Sequence, residues 1–153
     1  MDPRFQHPFT CVIAIPTRSG KTVFLNKLLT HARVMIHEPP EAIVWFYGEY
    51  QPLYDQMFET LGEIIRFVEG VPQSFDDFID KSKRNLIILD DLMSETANDK
   101  TISNLFTKGS HHKNVSVILV SQNLFHRGRE NRTISLNTVI ISFYSKTLET
   151  RRK

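Results

Sequence analysis

Phe9-Thr10-Cys11-Val12-Ile13-Ala14-Ile15-Pro16-Thr17-Arg18-Ser19-Gly20-Lys21-Thr22 is an apolar run that passes directly into Ser-Gly-Lys-Thr. An extended segment followed by this tetrapeptide is the arrangement of a phosphate-binding loop. A glycine lets backbone approach phosphate closely, a lysine reaches the β and γ phosphates, and a hydroxyl serves a magnesium ion. Gly20, Lys21 and Thr22 supply these three features, with Ser19 completing the amide cradle. Lys21 to Ala32 then carries Val23, Phe24, Leu25, Leu28 and Leu29 on roughly one helical face, which predicts a helix whose positive end points at the phosphates. The full loop pattern places another glycine at position 15, where this chain has Ile15. A β-branched residue at that corner is expected to distort the loop, at a strain of about 1 to 3 kcal/mol.

The hydrophobic runs elsewhere are short and alternate with helical stretches, the pattern of a parallel sheet with crossover helices. Strands are predicted at Thr10 to Ile15, Ala42 to Tyr47, Ile64 to Val68, Leu86 to Asp90, Val115 to Ser121 and Thr138 to Phe143. Most are continuous apolar runs, as expected of strands covered on both faces. Helices are predicted at Gln51 to Leu61, Phe75 to Lys81 and Thr96 to Lys108, with a turn at Gly70-Val71-Pro72. No repeat or linker interrupts the chain, so residues 1–153 are read as a single P-loop ATPase domain of the α/β class. The last predicted strand is followed only by a short basic tail ending at Lys153, which predicts a domain truncated at its carboxyl end.

Composition bounds the function. With 153 residues, 41% hydrophobic and 24% charged, the chain builds one core and is not disordered. Its net charge of +2 is no argument for nucleic acid by itself. Cys11 is the sole cysteine and lies within an apolar run, so it reads as a buried thiol in a reducing compartment. Met1-Asp2-Pro3-Arg4-Phe5 lacks the apolar stretch of a signal peptide, and no window approaches the length of a membrane span. The expected location is cytoplasmic or nuclear, without membrane contact.

A second element gives the loop its context. Asn85-Leu86-Ile87-Ile88-Leu89-Asp90-Asp91 is a buried strand ending in two carboxylates, the form of a Walker B motif. Asp90 is the candidate metal residue together with Thr22, and Asp91 is the candidate to orient or deprotonate the attacking water. The bland alternative is a pair of aspartates ending a strand at a solvated turn. Val115 to Ser121 leads into Gln122-Asn123 on the side of the sheet where ligands bind. Gln122 is the candidate sensor of the γ-phosphate or lytic water, with Asn123 second; a capping role is the alternative.

These pieces resemble the genome-packaging ATPases of the FtsK and HerA superfamily, most closely those of Maverick or Polinton transposons and related large DNA viruses. The resemblance rests on Pro-Thr-Arg-Ser-Gly-Lys-Thr at 16–22, Ile-Leu-Asp-Asp-Leu-Met at 88–93 and Leu-Phe-Thr-Lys-Gly-Ser-His-His-Lys-Asn at 105–114. Ser-Gln-Asn-Leu-Phe-His at 121–126 and Arg-Thr-Ile-Ser-Leu-Asn at 132–137 complete it. It implies a RecA-like parallel sheet with helices on both faces, in which the catalytic strand is inserted between the loop strand and the Walker B strand. It further implies ATP and Mg2+ as cofactors, double-stranded DNA as the translocated partner, a homo-oligomeric ring and contact with capsid proteins. Virion association follows if the motor is functional. Ring ATPases complete each site with a basic residue from the neighbouring subunit, worth roughly 10³ to 10⁵ in rate. Lys108, Lys113, Arg127, Arg129 and Arg132 are all candidates, and each could instead contact DNA or be solvated surface. His111 and His112 shape the same loop and lack a partner at metal-ligand spacing. Three readings therefore stand: an ATPase motor subunit, a degenerate transposon-derived domain that binds nucleotide or protein without turnover, and a small-molecule kinase. The paired aspartates favour water as acceptor over the last.

Overall fold

The computed structural model describes residues 2–14, 20–92, 102, 104, 105, 114–121 and 138–142. Its strands are β1 (Phe5–Gln6), β2 (Thr10–Ala14), β3 (Ile36–His37), β4 (Ala42–Tyr47), β5 (Ile65–Glu69), β6 (Asn85–Asp90), β7 (Val115–Ser121) and β8 (Thr138–Ser142). The helices are α1 (Lys21–Thr30), α2 (Ala32–Met35) and α3 (Leu53–Leu61). Six strands form one parallel sheet in the order β5-β4-β6-β7-β2-β8, and β1 pairs with β3 in a small parallel ribbon. β7 thus lies between β2 and β6, as the family resemblance implies.

Strand alternation divides the core into two halves. On β4, Ile43 and Trp45 face one side while Val44 and Phe46 face the other; on β6, Leu86 and Ile88 oppose Ile87 and Leu89. The period of two sends successive side chains to opposite faces, and both faces are apolar because both are covered. α1 and α3 cover the first face through Leu25, Leu28, Leu29, Tyr54 and Met57. The second is covered by Phe75, Leu92, Ile102 and Leu105. Leu25 and Met57 are fully buried, and each such side chain stabilises the fold by roughly 1.5 to 3 kcal/mol. Cys11 is buried in the middle of β2, and burial pushes its thiol up to about 12.

Several boundaries differ from expectation for local reasons. α1 stops at Thr30 because His31 leaves the helical conformation, with φ −105° and ψ 27°; its N–H makes the last helical bond, to the Lys27 carbonyl at 3.0 Å, and its Nδ1 lies 2.9 Å from the same oxygen. α3 begins after Pro52, a residue suited to a helix start, rather than at Gln51. A 3-10 turn at Gly62–Ile64 moves the start of β5 to Ile65. The helix expected over Phe75 to Lys81 is a single 3-10 turn, Asp76–Phe78. Beyond it the Asp80 carboxylate accepts from the Ser82 N–H and hydroxyl at 2.9 and 2.6 Å, closing a local turn that competes with further helix. Of the helix expected at Thr96 to Lys108, only Ile102, Asn104 and Leu105 fall within the described residues.

No described helix is long and apolar enough to cross a membrane.

Candidate functional site

From β2 the chain crosses over two positions of the sheet to β4, and α1 carries that connection. In open parallel sheets such a crossing leaves a crevice outside the carboxyl ends of the strands. Gly20 stands there with φ 78° and ψ 32°, a left-handed conformation that glycine adopts without penalty. Its carbonyl accepts from Phe24 N–H at 2.9 Å, so α1 starts at once and offers the unpaired N–H groups of its first turn. Gly20, Lys21, Thr22, Gln51, Asp90 and Asp91 help line a cleft of about 680 Å³, a volume in the range of small-ligand sites.

Lys21 Nζ lies 3.2 Å from Asp90 Oδ1 and 3.8 Å from Asp91 Oδ2. The loop lysine and the strand carboxylates, remote in sequence, therefore meet across the cleft. Asp90 is buried and its neighbour is not: their side chains are 4% and 44% exposed. Asp91 has φ 56°, a left-handed conformation that aspartate tolerates better than most residues. Its N–H donates to the Val120 carbonyl at 3.0 Å, tying the carboxyl ends of β6 and β7 together.

Thr22 is buried, and its hydroxyl donates to Gln51 Oε1 over a long 3.4 Å. The Tyr54 hydroxyl donates to Asp90 Oδ2 at 3.0 Å. Burial first, then the charge of Asp90 and the hydrogen bond to it, push the Tyr54 phenol above its ordinary range. Asp90 Oδ1 is one of two buried side-chain polar atoms, with Trp45 Nε1, that lack a hydrogen-bond partner among the described residues. A buried carboxylate oxygen that faces a lysine ammonium and has no hydrogen-bond partner among the described residues fits the outer shell of a hydrated divalent cation. The lysine, the glycine turn and the open helix end fit a triphosphate. Among the described residues no group of three or more His, Cys, Asp or Glu forms a metal cluster of its own. Such a site suits Mg2+ delivered with nucleotide, since that ion keeps several waters and uses few carboxylates.

The structure thus brings together Gly20, Lys21, Thr22, Asp90 and Asp91. Ser19, Gln122 and Asn123 lie outside the described residues, as do Ile15 and the basic candidates Lys108, Lys113, Arg127, Arg129 and Arg132, with His111 and His112. Gln51, Tyr54 and Glu49, which also lines the cleft, are additions from the structure. An aromatic within an amphipathic helix reads as core, and nothing local in the sequence distinguishes the phenol's polar tip from its buried ring.

Residues 60–150 match the family model described as Poxvirus A32 protein. The chain belongs to the poxvirus A32 protein family. The matched segment includes Asp90 and Asp91, while the phosphate loop precedes it. Among solved structures, the A32-family chain is similar to B204, the DNA-packaging ATPase from Sulfolobus Turreted Icosahedral Virus. The TM-score is 0.54 at 14% identity, over 95% of this chain and 78% of that one. Comparison with curated proteins finds no significant match. Family and fold together bear out the FtsK/HerA-type packaging ATPase resemblance and the P-loop α/β architecture.

Proposed function

We propose that this A32-family chain is the ATPase subunit of a genome-packaging motor, binding ATP with Mg2+ and coupling hydrolysis to movement of double-stranded DNA. The carrying observation is the meeting of Lys21 with Asp90 and Asp91 across the cleft that α1 opens onto. In this reading Ser19, Gly20, Lys21 and Thr22 hold the phosphates, Lys21 leaving the carboxylates to pair with phosphoryl oxygens as charge develops there. Thr22 and Asp90 hold the metal side of the site. Mg2+ held there would supply neutralisation of the charge on the phosphoryl oxygens. Asp91, half-exposed at the cleft, accepts a proton from the attacking water, and Gln122 orients that water. Residues 1–153 act as a single domain, assembled as a homo-oligomeric ring that meets capsid proteins in the cytoplasm, nucleus or virion. The completing basic residue comes from the neighbouring subunit, out of Lys108, Lys113, Arg127, Arg129 and Arg132.

The test is phosphate release with and without double-stranded DNA. Stimulation by DNA that disappears in both Lys21→Ala and Asp91→Asn is the expected result. Binding of ATP and magnesium without any turnover, persisting in Ile15→Gly, would assign the chain to the degenerate reading instead.

A further inference from the structure

The segment that leads into α3 touches both groups on the metal side of the cleft. Gln51 accepts the Thr22 hydroxyl proton at 3.4 Å, and Tyr54 donates to Asp90 Oδ2 at 3.0 Å. We infer that Gln51 and Tyr54 are positioning residues for a divalent cation, a pair that orients the Thr22 hydroxyl and the Asp90 carboxylate from one turn of chain. This rests on the Mg2+ and nucleotide reading of the cleft and goes beyond it by assigning the residues that aim its ligands.

The argument is one of lone pairs. A hydroxyl binds a cation, directly or through water, with its oxygen lone pairs, so its proton needs an acceptor elsewhere. Gln51 Oε1 is that acceptor. A carboxylate has two oxygens, and in a buried setting both require partners. Tyr54 occupies Oδ2, which leaves Oδ1, buried and without a hydrogen-bond partner, as the oxygen that faces Lys21. When the ammonium turns to phosphate, Oδ1 is the one atom left to be satisfied by a cation or its water shell. Partners behind a ligand that fix its orientation in this way typically govern metal affinity by 10 to 100-fold.

Tyr54 is itself held by its surroundings. Its ring stacks on Phe67 at 4.6 Å and 20°, and tilts against Trp45 and Tyr47, each with centroids 5.3 Å away. Tyr50 meets it edge-on at 5.4 Å, and the Tyr50 hydroxyl donates to Asp55 on the first turn of α3. Such packing leaves the phenol one rotamer and aims its single proton at Oδ2. A tyrosine serving only as core filling would not need its hydroxyl against a buried carboxylate at the cleft.

The experiment uses the whole chain with Mn2+ as a paramagnetic probe, titrated in the presence of a non-hydrolysable ATP analogue and read by electron paramagnetic resonance. Tyr54→Phe keeps the ring and removes the proton donor; Gln51→Ala removes the acceptor at a less buried position, where folding is least at risk. Each variant is expected to weaken Mn2+ binding about 10-fold or more, beyond any change in the analogue's affinity measured without metal. Tyr54→Phe made in an Asp90→Asn background is expected to add little further loss, since its effect acts through that carboxylate. Mn2+ affinities equal to the parent chain in both single variants, or full additivity with Asp90→Asn, would overturn the assignment and leave the nucleotide reading intact. Failure of the parent chain to bind Mn2+ with the analogue would overturn the nucleotide reading, and this inference with it.

Discussion

Strand β6 ends in a buried polar side chain at each terminus, Asn85 at one and Asp90 at the other, and the fold treats the two oppositely. The Asn85 amide donates to the Asp80 and Lys83 carbonyls at 2.8 Å each, and its oxygen accepts from Asp80 N–H at 3.1 Å. Beside it the His7 ring bridges Ser116 Oγ at 2.6 Å and Asn114 Oδ1 at 2.7 Å, while Phe9 N–H donates to the same serine at 3.0 Å. That end of the sheet is a closed polar network, tying the strand starts together. At the other end, Asp90 keeps one oxygen without a hydrogen-bond partner and faces a lysine that is itself part-exposed. Buried polar groups that serve structure are satisfied within the protein; a group that serves a ligand retains unused bonding capacity. The difference between the two ends is the one the proposed site requires, and it can be attacked from either side.

The largest effect is expected at the open end. Asp91→Asn should lower DNA-stimulated phosphate release by roughly 10² to 10⁴-fold, the usual contribution of a general base. Its denaturant midpoint should hardly move, because asparagine takes the left-handed conformation at least as readily as aspartate. Loss of folding in step with activity would erase the contrast. At the closed end, Asn85→Ala takes the acceptor from the Asp80 N–H and one donor each from the Asp80 and Lys83 carbonyls, and should cost about 1 to 3 kcal/mol in urea unfolding. ATP affinity of the folded protein should be retained; a selective loss of binding would make that end functional too. Gly20→Ala meets no neighbour within 4 Å, but the left-handed backbone there should cost about 1 to 2 kcal/mol. Calorimetric titration with ATP is expected to weaken correspondingly.

The smallest effect concerns pH. Burial is the first cause holding the His7 ring below its ordinary value, so the unfolded chain takes up a proton more readily than the folded one. Stability contributed by neutral His7 is fully present above the ordinary histidine value of about 6.5 and declines as pH falls through the lower folded value. Thermal unfolding should therefore show a modest drop in midpoint from pH 7.5 to 5.5 that is flattened in His7→Gln. An unchanged slope in that variant would place the pH sensitivity elsewhere.

The sequence was most informative where one strand declares itself alone. The predicted strands at Ala42 to Tyr47 and Val115 to Ser121 coincide with β4 and β7, because short, largely apolar runs rich in β-branched and aromatic residues suit a doubly covered sheet. That Gly20, Lys21, Thr22, Asp90 and Asp91 gather at one cleft was equally legible, since the sequence sets them beyond the carboxyl ends of two strands of one parallel sheet. What escaped was pairing over long separations. His7 meets Ser116 and Asn114 at 109 and 107 positions' distance, and Tyr54 meets Asp90 at 36; no local pattern marks either. The helix expected at Phe75 to Lys81 failed for a different reason, the turn chemistry of Asp80 outweighing an apolar periodicity that was only a few residues long.

Cys11 turns the sheet into its own recorder. The chain has one sulfhydryl, placed in β2 within the cluster that α1 and α3 cover, so a thiol-selective reagent can modify a single atom and only after that cover lifts. The labelling rate of the untagged protein thus measures how often the core over the centre of the sheet opens. Repeating it with and without ATP would reveal whether events at the end of β2 are felt along its length.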